Sequence, residues 1–476
     1  MSLRFKVRSL VFLCLLPGLV VAEEATEIGV FVEYIQLGRQ AASELLGGYD
    51  GDGSALREHL QGMVEREEAQ LLDSAYVRTR AWGRSRNVSI GEHIYPTEYD
   101  PPEEPTKVFG KIAPGADLIV PSSPTAFDLR FVGNVLEVGA NVYAGEDVVE
   151  LKIASNLAEY TGDSTYGEGA AEAVQPIFDA LSSYARVYIK SGQFVLLAAH
   201  TPRLDGEVER DRSKRVFVMA RATILKRGSG SDKERTGVAV ENPFQEDGKM
   251  VEPVFVSQVG VLVEHIQLEA ATATKLVREH AADADASVFR ERVEGLIKAG
   301  EAEQIDSAYI LNVSGERAKT ESVHELIYPT EYDPPGIPSS IPTDGQAGGF
   351  PITPSPAQAF DVRNVGSSFQ VEPSWREEQR LIDLNIAPQR VSFVGFIHYG
   401  DGEALTQQPV FSVMKVQSNL RVPEGAYTLA AVQSPRDESA DGAVAVRSDP
   451  SKRVLTFLKA SLMRLPVAVA EGGEDE

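Results

Sequence analysis

"IYPTEYDPP" occupies residues 94–102, and the same nine residues return at 327–335, a shift of 327 − 94 = 233. An identity of that length at that distance marks an internal repeat. Flanking segments keep the spacing. Asp73-Ser74-Ala75-Tyr76 returns as Asp306-Ser307-Ala308-Tyr309, Ala126-Phe127-Asp128 as Ala359-Phe360-Asp361, and Gln175-Pro176 as Gln408-Pro409. Toward the ends the spacing drifts. "VEYIQL" at 32–37 meets "VEHIQL" at 263–268, a shift of 263 − 32 = 231. "SKRV" at 213–216 recurs at 451–454, a shift of 451 − 213 = 238. Short insertions account for both drifts. The chain therefore reads as two copies of one unit, 27–226 and 254–464. A Gly-, Ser- and charge-rich linker joins them at 227–253, and an acidic tail follows at 465–476.

Each copy presents the same elements in the same order. "GVFVEYIQL" and "GVLVEHIQL" are short apolar runs suited to buried strands. Alternation puts Glu33 and Glu264 on the more apolar face of those strands, where a carboxylate needs an arginine partner or a raised pKa. Leu56, Leu60, Met63 and Val64 follow at helical spacing, as do Phe289, Val293, Leu296 and Ile297, with Ser54 and Ser287 at the expected N-caps. A strand–turn–strand hairpin and a strand-rich stretch complete the unit. The expected fold class is α+β: two tandem homologous units, each a small α/β subdomain followed by a β-rich subdomain. In this scheme the nonapeptide leaves the hairpin and enters a proline-rich connector, 102–125 or 335–358, held extended by its prolines. Its candidate structural or docking residues are Tyr95, Glu98, Tyr99, Tyr328, Glu331 and Tyr332. The tyrosines either pack within their own unit or stand ready for a partner.

Composition narrows the function classes. The 476 residues carry 70 acidic against 46 basic side chains, a net charge of −24, which repels phosphate backbones and argues against nucleic acid. Arg4, Lys6 and Arg8, an apolar run over 10–16, and Val20-Val21-Ala22 read as a secretory signal over 1–22, cleaved between Ala22 and Glu23. Cys14, within that signal, is the only cysteine, so the mature chain has no disulfide and no thiol chemistry. No later segment has the length and apolarity of a membrane-spanning helix. Membrane contact is expected to be peripheral or through β-strands. No catalytic residue, metal site or cofactor is expected. No histidine recurs at the equivalent position, and no phosphate-binding loop, nucleophile elbow or zinc motif is present. The recurring carboxylates, including Glu92/Glu325, Asp100/Asp333 and Asp128/Asp361, suit ion pairs and turns, with calcium or acid–base work as the alternative.

The order of these pieces resembles the secretin domain of bacterial type II and III secretion and type IV pilus channels, in two degenerate tandem copies. "VFVEYIQL" and "VLVEHIQL" are similar to that domain's opening strand through Glu33 and Glu264. "DSAYVRTRAWGRSRNVSI", "LEVGANVYAGEDVVELKIA", "ARVYIKSGQFVLLAA" and "RVFVMARATI" resemble the segments that follow. The family's double glycine is "LLAAH" in the first copy and "TLAAV" in the second, and only residues 23–26 separate the cleavage site from the first unit. The resemblance implies a non-catalytic, exported protein of the periplasm or outer membrane, acting in assembly or docking of a secretion- or pilus-type complex. Its implied partners are other envelope or secretion-system proteins, or further copies of itself. A soluble periplasmic binding module and a carboxylate-based enzyme are the competing readings.

Overall fold

The structure is a computed structural model that describes residues 26–103, 121–143, 147–202, 212–225, 245–246, 249–250, 254–280, 283–336, 353–400, 402–435 and 449–467. The signal segment, most of the linker and most of both proline-rich connectors lie outside the described residues. The first half contains β1 (Glu27–Gly38), α1 (Arg39–Gly48), α2 (Gly53–Glu65), β2 (Ala69–Arg80), β3 (Gly83–Asp100) and β4 (Ser123–Tyr143). It continues with β5 (Val148–Tyr166), β6 (Ala173–Lys190), β7 (Phe194–His200) and β8 (Lys214–Leu225). Two-residue strands β9 (Gln245–Glu246) and β10 (Lys249–Met250) pair within the linker region. The second half contains β11 (Val254–Glu269), α3 (Ala270–His280), α4 (Ser287–Ala299), β12 (Ala302–Val313), β13 (Ala318–Tyr332) and β14 (Ala357–Arg376). It ends with β15 (Leu381–Tyr399), β16 (Thr406–Lys415), β17 (Ser418–Pro423), β18 (Tyr427–Gln433) and β19 (Lys452–Val467).

These strands form two large antiparallel sheets, so the described chain is mostly β with few helices. One sheet runs β18-β19-β11-β12-β7-β8-β1-β2. The other joins β3-β4-β5-β6 to β13-β14-β15-β16 through the β6–β13 ladder, with β17 pairing beside β15. The α+β expectation holds only coarsely, and the expected succession of an α/β part and a β part gives way to nesting. The first and last strands of each half share one sheet, and the long middle strands form the other. Strand alternation explains the layering. On β1, Val30, Val32 and Tyr34 pack with Leu136, Val138 and Ile153 from the other sheet. On β11, Ile266 and Leu268 instead meet Leu276, Phe289 and Val293 of α3 and α4.

The pairings of the two halves correspond. Val88 opposes Val135 and Glu321 opposes Ser368, both members shifted by 233. The bulge between Tyr160 and Gly162 on β5 has its counterpart between Phe393 and Gly395 on β15, at the same shift.

Several local expectations change. The expected hairpin does not form a ladder: β2 pairs with β1, β3 pairs with β4, and the chain crosses between sheets at Ala81-Trp82, where Trp82 has φ 63°. Ser54 and Ser287 are not N-caps. Asp52 Oδ1 accepts from the Ser54 and Ala55 amides, and the Ser54 and Ser287 hydroxyls instead accept the Phe194 and Tyr427 amides at 3.0 and 3.1 Å. Those bonds tie α2 and α4 to strands β7 and β18. Helices α1 and α3 add to the elements expected from the sequence, and β19 runs past 464 to Val467.

Candidate functional site

The nonapeptide forms the paired end of a strand and its exit: β3 stops at Asp100 and β13 at Tyr332, before the paired prolines. Ile94 opposes Leu129, Tyr95 opposes Asp128, and Asp100 opposes Ser123. Pro96 cannot donate to a ladder, and a bulge between Pro96 and Glu98 absorbs the defect; Pro329 and Glu331 repeat it. The motif is clamped by bonds that recur at equivalent positions of the two halves. Tyr99 OH donates to Val174 O at 3.0 Å and Tyr332 OH to Gln407 O at 2.6 Å. Gln175 Nε2 donates to Pro96 O at 2.9 Å and Gln408 Nε2 to Pro329 O at 3.0 Å. Tyr95 and Tyr99 are buried, and Tyr328 and Tyr332 are half-buried. Their neighbours come from both halves: Tyr99 meets Phe360 at 5.8 Å between centroids, whereas Tyr328 meets Phe411 at 6.0 Å. Glu98 and Glu331 are open to solvent.

Glu33 and Glu264 each face an arginine from the following helix. Arg57 reaches Glu33 with Nε–Oε2 2.6 Å and Nη2–Oε1 2.8 Å, and Arg290 reaches Glu264 at 2.8 and 3.0 Å. The bidentate fork is the geometry that suits a carboxylate removed from water. Other recurring carboxylates also have local structural roles. Asp73 accepts from Asn134 Nδ2 at 2.9 Å, Asp306 from Ser367 Oγ, and Asp128 and Asp361 each from the next residue's amide. They do not converge, and among the described residues no group of three His, Cys, Asp or Glu is placed to hold a metal.

What sequence reasoning missed is the seam between the halves, which is built by strand pairing in both sheets. On β6 and β13 the ladder runs from Lys319↔Tyr184 to Glu325↔Phe178. On β7 and β12, Ala199 opposes Tyr309 and Ala198 opposes Ile310. Side chains extend the ladders. Gln258 accepts from the Tyr188 amide and donates to the Tyr188 carbonyl, both at 2.8 Å, as a neighbouring strand would. Arg130 forks onto Glu325 at 2.6 Å, and His324 Nδ1 lies 2.6 Å from Asp179 Oδ1. His200 Nε2 is 3.2 Å from Ser183 Oγ, close to Thr320, and all three side chains are buried within the seam. Only the non-matching polar positions, such as Gln258 against Glu27 and Asn312 against Thr79, hinted at this seam in sequence.

Burial at the seam has a consequence in alkali. Burial pushes the Tyr49 and Tyr166 phenols up to about 12. Tyr166 OH donates to Ile327 O across the halves, and Tyr49 packs edge-on against Tyr309 at 6.0 Å. The unfolded chain releases these protons near 10 and the folded chain only near 12, so above pH 10 the unfolded state binds fewer protons. Stability is therefore expected to be level below pH 10 and to fall as pH rises toward 12. Tyrosinate absorbance and circular dichroism, followed together, check this; full ionisation near pH 10 with the strand signal intact would contradict it.

No family model, no curated protein and no solved structure matches the chain.

Proposed function

We propose that the chain is two tandem copies of one secretin-like unit. It acts as a non-catalytic, exported envelope protein in the assembly or docking of a secretion- or pilus-type complex. The observation that carries this reading is the seam: two repeats joined by continuing main-chain ladders through both sheets. Joining by strand addition needs backbone edges and little side-chain identity, which suits modules that add one beside another. The matched registers support treating the halves as copies, and the leader over 1–22 supports export. Fold-level likeness to secretins alone would not carry a function.

The test is fractionation of a Gram-negative host expressing the whole chain. The mature protein is expected to begin at Glu23, to sediment with the envelope and to come off in high salt without detergent. Alkaline carbonate is a poor wash here, because ionisation of the buried tyrosines favours unfolding in that range. Recovery in the cytosol would overturn the export reading. Recovery as a free periplasmic monomer would favour the soluble binding module, and retention as a heat-resistant multimer would favour a membrane pore.

A further inference from the structure

The two halves are buried unequally at corresponding positions, and the inequality has a direction. Strands β12 and β13 of the second half are covered by β7 and β6 of the first. Among the described residues, their counterparts β2 and β3 carry no such cover: β2 pairs only with β1, and β3 pairs with β4 and meets β14 only at Glu98. Tyr309 is 5% exposed and its counterpart Tyr76 is 48% exposed, and buried Ile327 corresponds to exposed Ile94. The same holds in reverse at the other side. β7 is buried along nearly all its length, whereas its counterpart β18 is half-open and, among the described strands, pairs only with β19. β16, the counterpart of β6, leaves Val413 47% exposed on an edge whose one described partner is β15.

The open side of the first half is thus the uncovered copy of a surface that the second half has covered. The open side of the second half is the uncovered copy of what covers it. We infer that a second copy of this chain adds head to tail across these two sides, repeating the internal seam in both sheets at once. The inference rests on the reading of the halves as copies of one assembly unit. A heterologous contact of this kind closes into a ring if its rotation allows and otherwise extends as a fibre.

The internal seam also sets the register. Paired residues on β13 and β6 sum to 319 + 184 = 503. Moving one partner back by 233 and the other forward by 233 leaves the sum unchanged, so Ile90 of one copy opposes Val413 of the next. In the first sheet the pair Tyr309–Ala199 becomes Tyr76–Val432, and Val432 is itself 40% exposed. Both pairs therefore join apolar side chains that water now reaches. In the stretch from Arg86 against Gln417 to Glu92 against Phe411, no like charges stand directly opposite each other.

Cysteine cross-linking tests this without background, because Cys14 lies in the leader and the mature chain has no other cysteine. The double variant Ile90→Cys/Val413→Cys, oxidised at rising protein concentration, is expected to give a ladder of whole-chain multiples. Directly opposed residues in an antiparallel pair lie within disulfide reach. The out-of-register pair Ile90→Cys/Val410→Cys is expected to cross-link at least about tenfold less, since register governs which positions meet. Tyr76→Cys/Val432→Cys repeats the test in the first sheet. Monomer at every concentration, by cross-linking and light scattering, would overturn the inference; so would equal ladders from in- and out-of-register pairs. If the same monomeric protein still sediments with the envelope, head-to-tail addition fails while the envelope reading stands.

Discussion

Arg290→Met is expected to destabilise the chain by about 3–5 kcal/mol, the cost of leaving a buried carboxylate without its partner. Arg290 is 8% exposed at its side chain and Glu264 is almost wholly enclosed. Gln304 Nε2 still donates to Glu264 Oε1 at 2.7 Å, but a neutral amide does not balance the charge. Arg57→Met is expected to cost less, because Arg57 is 16% exposed and water can approach Glu33 once the guanidinium is gone. Removing both charges with Arg290→Met/Glu264→Met should restore much of the loss, since the face already holds Ile266, Leu268 and Phe289. Urea unfolding at constant m-value reads the differences. Equal losses in the single and double Arg290 variants would show that Arg290 acts through packing on Tyr427, 5.6 Å from its ring centroid, and not through charge.

This ion pair was half legible in the sequence. Alternation placed Glu33 and Glu264 on an apolar face and demanded a partner, but nothing in the linear spacing named Arg57 or Arg290. Each lies in a later helix and meets its glutamate only when that helix packs on the strand. The helical spacing of Leu56, Leu60 and Met63 was legible because an amphipathic face is a local pattern. The strand exit in the nonapeptide was legible, because paired prolines end a ladder: β3 stops at Asp100 and β13 at Tyr332. The bulge at Pro96 and the clamps from Gln175 and Tyr99 were not legible, because they depend on non-local partners. The seam was the least legible part. Main-chain pairing has no residue code, so the cover of β12 and β13 by β7 and β6 left a trace only in side chains such as Gln258 and Asn312.

Tyr309→Ala is expected to cost about 3–5 kcal/mol, as large-to-small changes at a buried aromatic do, whereas Tyr76→Ala at the corresponding position is expected to stay within about 0.5 kcal/mol in the isolated chain. Both tyrosines lie across a glycine. A Cβ added at Gly260 would sit 2.3 Å from the Tyr309 hydroxyl, and one added at Gly29 would sit 2.5 Å from the Tyr76 hydroxyl. The two glycines thus admit the rings, an arrangement that restores packing lost where a strand lacks a side chain. The difference between the halves is freedom to move. Tyr309 is enclosed by the seam and by Tyr49. Half of Tyr76 faces water, so its ring can swing aside. Gly260→Ala is accordingly expected to cost about 1–3 kcal/mol through overpacking, and Gly29→Ala much less. Thermal or urea unfolding of the four single variants at low protein concentration measures all of these. Equal costs in the two halves would mean that Tyr76 is already covered in the isolated chain. A Tyr76→Ala cost that grows with protein concentration would instead show that a neighbouring copy covers it, because only an assembled partner makes stability depend on concentration.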